Sequence, residues 1–211
     1  MNDSILNNPI PAEWDNYVTQ VAAGKLEIVP YIAYFKATYV TATTGNVLPF
    51  FNATPTSDAQ SNIKQPGILP AGQSLLIQSI RVHIDSPPET QSQGAADSVP
   101  VGFANDVWLI QEGVLRMKIG TKPQGPWPIH CLPSATGAQL SGIAASGAAV
   151  NNIMTSAADL MGPQYGLFPN LLIANLQQFE AEMFWAAALT LSITNKNIWL
   201  MFDGQLARPI Q

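Results

Sequence analysis

The chain has 211 residues and a net charge of −5, with only 11% Asp, Glu, Lys and Arg beside an ordinary 47% of apolar residues. Soluble domains average about a quarter charged residues, so Asn, Gln, Ser, Thr, Ala, Gly and Pro here occupy positions where charge usually keeps a free monomer from associating. The nine Lys and Arg residues are scattered along the chain, which argues against the continuous basic surface needed for direct nucleic-acid binding.

The single cysteine, Cys131, excludes an intrachain disulfide and a Cys-based zinc site. Two histidines are too few for a His-rich metal centre. The first residues, Met1 to Trp14, have neither the basic nor the apolar region of a secretory signal. No stretch approaches the ~20 apolar residues of a transmembrane helix.

In chain order, Pro11-Ala-Glu-Trp14 reads as a helix start, with Glu13 and Asp15 at the positive end of the dipole. Trp14, Tyr17, Val18 and Val21 then share one face, and Gly24 can close the helix. Residues 1–24 are therefore read as an N-terminal arm and short helix, lying outside the sandwich or on a neighbour. Residues 25–211 are read as a single β-sandwich domain.

Leu26 to Thr44 is rich in β-branched and aromatic residues, with Pro30 marking an edge or a strand start. Val47 to Phe51 is a short apolar run, and Asn52 to Gly72 has the turn residues of a loop. In Leu75 to Asp85, alternation places Leu76, Ile80, Val82 and Ile84 on one face and Ser79, Arg81 and His83 on the other.

Val107 to Gln111 and Val114 to Ile119 resemble a hairpin about Glu112-Gly113, its second arm alternating Leu115, Met117 and Ile119 with Arg116 and Lys118. Pro123 to Pro133 is too proline-rich for a central strand. Ala135 to Gly166 is small-residue-rich, with a helical turn expected near Asn151 to Met161. Phe179 to Leu191 alternates as a long strand with Phe179, Ala181, Met183, Trp185, Ala187, Leu189 and Leu191 on its apolar face. Asn197 to Phe202 is the next strand, and Asp203-Gly204 has the chemistry of a tight hairpin returning through Gln205 to Ile210. Short strands, long loops and one helix predict an antiparallel β-sandwich of the jelly-roll type.

Candidate chemistry is sparse. Glu180 and Glu182, two apart on a strand, project from one face about 7 Å apart, a spacing open to a glycan-active hydrolase or half a calcium site. A solvated or intersubunit sheet face explains them more simply. Arg81, His83 and Asp85 form a polar row whose members point in parallel. His130 and Cys131 are adjacent, so on a strand they would face opposite ways, and a buried, inert thiol is the expectation. Trp108, Trp127, Trp185 and Trp199 could offer a sugar platform, with Trp185 assigned to the core and Trp199 to the surface. No catalytic, cofactor-binding or metal-binding residue is assigned, and no cofactor is expected.

Leu69-Pro-Ala-Gly72 leading into Leu75–Asp85, then Gln178–Leu191, then Ile198–Phe202 with Asp203-Gly204 and Arg208, resembles the jelly-roll virion proteins of bacteriophages. The resemblance implies a non-catalytic capsid or capsid-associated subunit, assembled in the host cytoplasm and located in the virion. Its partners would be copies of itself and other virion proteins, joined through sheet edges, loops and the N-terminal arm. No ligand residues carry over. Alternatives are a carbohydrate- or receptor-binding sandwich that exposes Trp199 and Trp127 to a host-surface glycan or receptor, and a hydrolase using Glu180 and Glu182.

Overall fold

A computed structural model describes residues 10–40, 45–85, 109, 112–132, 141–146, 149–156, 166–189 and 195–210. Helix α1 (Ala12–Ala22) is followed by strands β1 (Leu26–Tyr39), β2 (Val47–Phe50), β3 (Ser74–Asp85), β4 (Gly113–Ile119) and β5 (Lys122–Pro128). After a 3-10 turn at Ile129–Cys131 come β6 (Ser141–Ser146), β7 (Ala149–Ser156), β8 (Gly166–Ile173), β9 (Phe179–Trp185) and β10 (Lys196–Pro209).

Eight strands form two four-stranded sheets, ordered β1-β10-β3-β8 and β2-β9-β4-β5, while β6 and β7 pair with each other. All pairings are antiparallel. They are also nested: β1 takes β10, β2 takes β9, β3 takes β8 and β4 takes β5. The chain thus forms the antiparallel β-sandwich that its alternating patterns predict.

The core lies between the sheets. Inward residues of β1, β3 and β10 (among them Ala33, Phe35, Tyr39, Ile80, Leu200 and Phe202) meet those of β2, β4 and β9. β4 follows its predicted alternation, with Leu115, Met117 and Ile119 buried and Arg116 and Lys118 exposed. Phe51 sits at the centre, 5.4 Å from Phe35 in sheet one, 5.2 Å from Phe179 in sheet two and 5.2 Å from Phe202, onto which it stacks.

Helix α1 begins as its sequence predicts, with Glu13 and Asp15 in its first turn, and Gly24 at φ 69° closes it through its N–H to the Val21 carbonyl. Its Trp14 packs on Leu76 and Ala207, flanked by Tyr17, Ile28 and Leu172. The Ser74 hydroxyl donates to the Tyr17 oxygen at 2.8 Å. The helix therefore lies on the outer face of its own first sheet, and Val18, expected on the apolar face, is exposed.

Several local expectations are corrected. Asp203-Gly204 makes no hairpin, because β10 runs unbroken through it. Opposite, Asp203 pairs with Ser79 and Gly204 with Ile77, so Gln78 is an extra residue bulged out of β3. The bulge switches faces: Leu75 and Ile77 point inward before it, and Ile80, Val82 and Ile84 after it. Leu76 consequently leaves the face predicted for it and lies under Trp14. Gly204 is required there, since a Cβ would overlap the Leu76 carbonyl oxygen.

The strand predicted to reach Leu191 ends at Trp185, leaving Ala187 exposed, and residues 190–194 lie outside the described residues. β4 is flanked on both sides by β5 and β9, so no free edge remains for a hairpin arm at Val107–Gln111, of which only Leu109 is described. Asn151 to Ser156 belongs to β7 rather than to a helical turn, in keeping with the β-branched Val150, Ile153 and Thr155, and residues 157–161 lie outside the described residues.

Phe51 bridges the sheets from a left-handed backbone (φ 58°), a conformation costly for a side chain with a Cβ. Phe51→Ala should lower unfolding free energy by about 3–5 kcal/mol, the usual cost of truncating a buried aromatic. Urea denaturation followed by tryptophan fluorescence measures it, and a loss below 1 kcal/mol would show that the sheets do not depend on this contact.

Candidate functional site

The best-organised surface is the outer face of the second sheet. Alternation sends Val47 and Pro49 of β2, Glu180, Glu182 and Phe184 of β9, and Val114, Arg116 and Lys118 of β4 outward. Register aligns them in rows across the strands. Val47, Phe184, Val114 and Pro128 form an apolar row. Beside it Pro49, Glu182 and Arg116 align, and beyond them Glu180, Lys118 and Pro123.

Arg116 lies 3.7 Å from Glu182, and Lys118 lies 3.3 Å from Glu180. The Arg116 guanidinium also stacks over the Phe184 ring at 3.9 Å. A shallow depression of about 280 Å³ opens along this ladder, lined by the four charged residues with Pro49 and Pro123. The two glutamates do share a face, as their spacing predicts. Each is substantially solvent-accessible and paired with a cation of β4. The arrangement suits contact with a complementary charged surface.

The first sheet's outer face carries a second polar group. Arg81 grips Asp203 with both arms of its guanidinium, at 2.5 Å and 2.6 Å, and the Ser79 hydroxyl donates to the same carboxylate at 3.0 Å. The predicted row of Arg81 and His83 is present, but Arg81 is engaged across the strands by Asp203; the Asp85 side chain lies outside the described residues. Asp203 was missed because Asp-Gly reads as a turn. Its parity with Trp199 and Met201 was the available signal.

Trp199 lies on this face too, half-buried against Tyr34 at 5.8 Å, with the Lys36 ammonium 5.1 Å above its ring. Trp185 belongs to the core, as expected, and its indole N–H donates to the Leu109 carbonyl at 3.0 Å. Trp127 is partly buried against the core from β5. Trp108 lies outside the described residues. The described tryptophans thus occupy different layers and build no common platform.

His130 and Cys131 sit in a 3-10 turn rather than a strand, and the Cys131 thiol is exposed, contrary to the buried position expected of it. Pro128 precedes this turn, which buries Ile129 in the core while His130 and Cys131 stay exposed. Burial raises the Tyr31 hydroxyl above its ordinary pKa, with Tyr34 adding to the effect and Arg208 opposing it. Among the described residues, no three His, Cys, Asp or Glu gather around a common point, and no helix is long and apolar enough to cross a membrane.

Neither protein-family models nor curated proteins yield a match to this chain.

The two charged groups differ in burial, and their contributions should differ accordingly. Arg81 and Asp203 are 21% and 18% exposed, so Asp203→Ala should cost about 1–3 kcal/mol. Glu180→Gln with Glu182→Gln removes two exposed pairs and should cost less than about 1 kcal/mol in the monomeric chain. Thermal unfolding of both variants would refute the ranking if the double variant were the less stable. Separately, Cys131 in the native protein should react with an aromatic disulfide reagent as fast as a free thiol peptide. Labelling only after denaturant is added would contradict its exposed position.

Proposed function

We propose that this chain is a structural virion subunit, a self-assembling capsid or capsid-associated protein without catalytic activity. The observation that carries the reading is the nested pairing of eight strands into facing sheets ordered β1-β10-β3-β8 and β2-β9-β4-β5. With β6 and β7 set aside as an insertion, this nesting supports reading the sandwich as one antiparallel ribbon rolled on itself, the jelly-roll winding that the proposal requires.

Fold alone does not fix function. The second support is composition: a surface with this few charges suits cover by like subunits. Copies of the chain and other virion proteins are its partners in this reading. A host glycan bound at Trp199 would have to displace Lys36 from the ring, which disfavours the carbohydrate-binding alternative.

Closed symmetric oligomers are the usual outcome for identical subunits. Sedimentation velocity of the full chain over a wide concentration range should show species that are multiples of 22.6 kDa. A single monomeric species at the highest concentration would overturn the reading.

A further inference from the structure

We infer that the outer face of the second sheet binds the same face of a second copy, about a two-fold axis parallel to its strands and running between β4 and β9. This inference rests on the self-assembly reading above and specifies one of its contacts. The geometry begins with charge order. Arg116 and Lys118 form a positive row on β4, and Glu180 and Glu182 a negative row on the adjacent β9.

Two sheets packed face to face keep their strands roughly aligned. A two-fold axis along the strands then exchanges left and right but leaves height unchanged. β4 of one copy lies over β9 of the other, so both positive residues meet both negative residues, twice. The apolar row Val47, Phe184, Val114 and Pro128 meets its own counterpart at the same height. Rotation about an axis across the strands would instead set β4 over β4, bringing like charges together and moving the apolar row away from its equal. A single symmetry operation therefore satisfies both the charge pattern and the apolar row.

The exposed ion pairs within each chain are weak. Face-to-face contact gives each charge a second opposite neighbour, and this added attraction offsets the cost of taking the pairs out of solvent. Isologous contact of this kind needs a self-complementary patch, and this face has one.

The test is charge exchange, read by sedimentation equilibrium with thermal unfolding as a check on folding. Arg116→Glu with Lys118→Glu makes the face negative, and Glu180→Lys with Glu182→Lys makes it positive. Each variant alone should associate at least tenfold more weakly than wild type, and an equimolar mixture should recover association as heterodimers. Weak association that the mixture does not recover would assign these residues to pairing within the chain and overturn the inference.

Combining all four substitutions restores pairing within the chain. It also keeps the test decisive if either half-variant fails to fold. The exchanged protein should associate with itself and exclude wild type, because wild-type β4 would then meet a positive β9. Free mixing of the two would overturn the inference. If wild type associates and the reversed variants associate equally well, this face is not the contact, while the self-assembly reading stands. If wild type is monomeric throughout, that reading falls and this inference with it.

Discussion

Phe51 follows the last residue of β2 at the point where the chain must leave one sheet for the other. Continuing in β conformation would carry it past the edge of the sandwich. The left-handed φ of 58° instead turns its ring inward, against Phe35 and Phe202 of one sheet and Phe179 of the other. Phe50 adds an edge contact to Phe35 at 6.3 Å. Four strands from both layers thus meet around one connection. The backbone cost of that conformation, about 1–3 kcal/mol, is offset by burying an aromatic ring on several sides. The spacing and alignment of the two sheets depend on this joint.

The bulge at Gln78 has a comparable reach on the first sheet. By shifting parity, it allows β3 to send Leu76 outward at one end of the strand and Arg81 outward at the other. The first end is roofed by Trp14 of α1. The second holds the Asp203 ion pair. One extra residue divides the outer face into a helix-covered apolar part and a polar part, and Gly204 lets β10 pass close enough for both to share one continuous strand. The first sheet therefore spends much of its outer surface on its own chain, whereas the second leaves an ordered face bare of any described helix.

How much of this was legible depends on the range of the forces involved. The start of α1, the alternation of β4 and the inward face of β9 up to Trp185 follow from neighbouring residues, and periodicity displays them. The nested pairing does not. Leu26 meets Pro209 across nearly the whole chain, and no local pattern encodes that partnership. Asp203-Gly204 misled for the same reason: its turn chemistry is real, but contact with the bulged β3 outweighs it. Glu180 and Glu182 were placed correctly on one face, yet the cations opposite them, Lys118 and Arg116, lie on β4, 62 and 66 residues earlier. Which residues share a face was readable; which faces share a row was not.

The edges of the sheets decide where association can occur. Each edge strand of the two four-stranded sheets contains proline: Pro30 in β1, Pro49 in β2, Pro169 in β8, and Pro123, Pro126 and Pro128 in β5. The central strands β3, β4 and β9 contain none, and β10 has one only at its last residue. Proline removes the N–H donor on which edge-to-edge pairing depends.

The β1 edge is also covered by its own chain. The Lys36 N–H donates to the Gln60 carbonyl at 2.7 Å, the Tyr34 N–H to the Asn62 side chain at 3.0 Å, and the Asn62 amide to the Ile32 carbonyl at 2.7 Å. Contact through sheet edges, which the resemblance to virion proteins implied, is therefore disfavoured by backbone chemistry. Among the described residues, the two four-stranded sheets therefore offer a partner the side chains on their faces and loops in preference to open backbone edges. On the second sheet those side chains are sorted by register into opposite charges and one apolar row, so the register that folds the sheet also sets the pattern available to a partner.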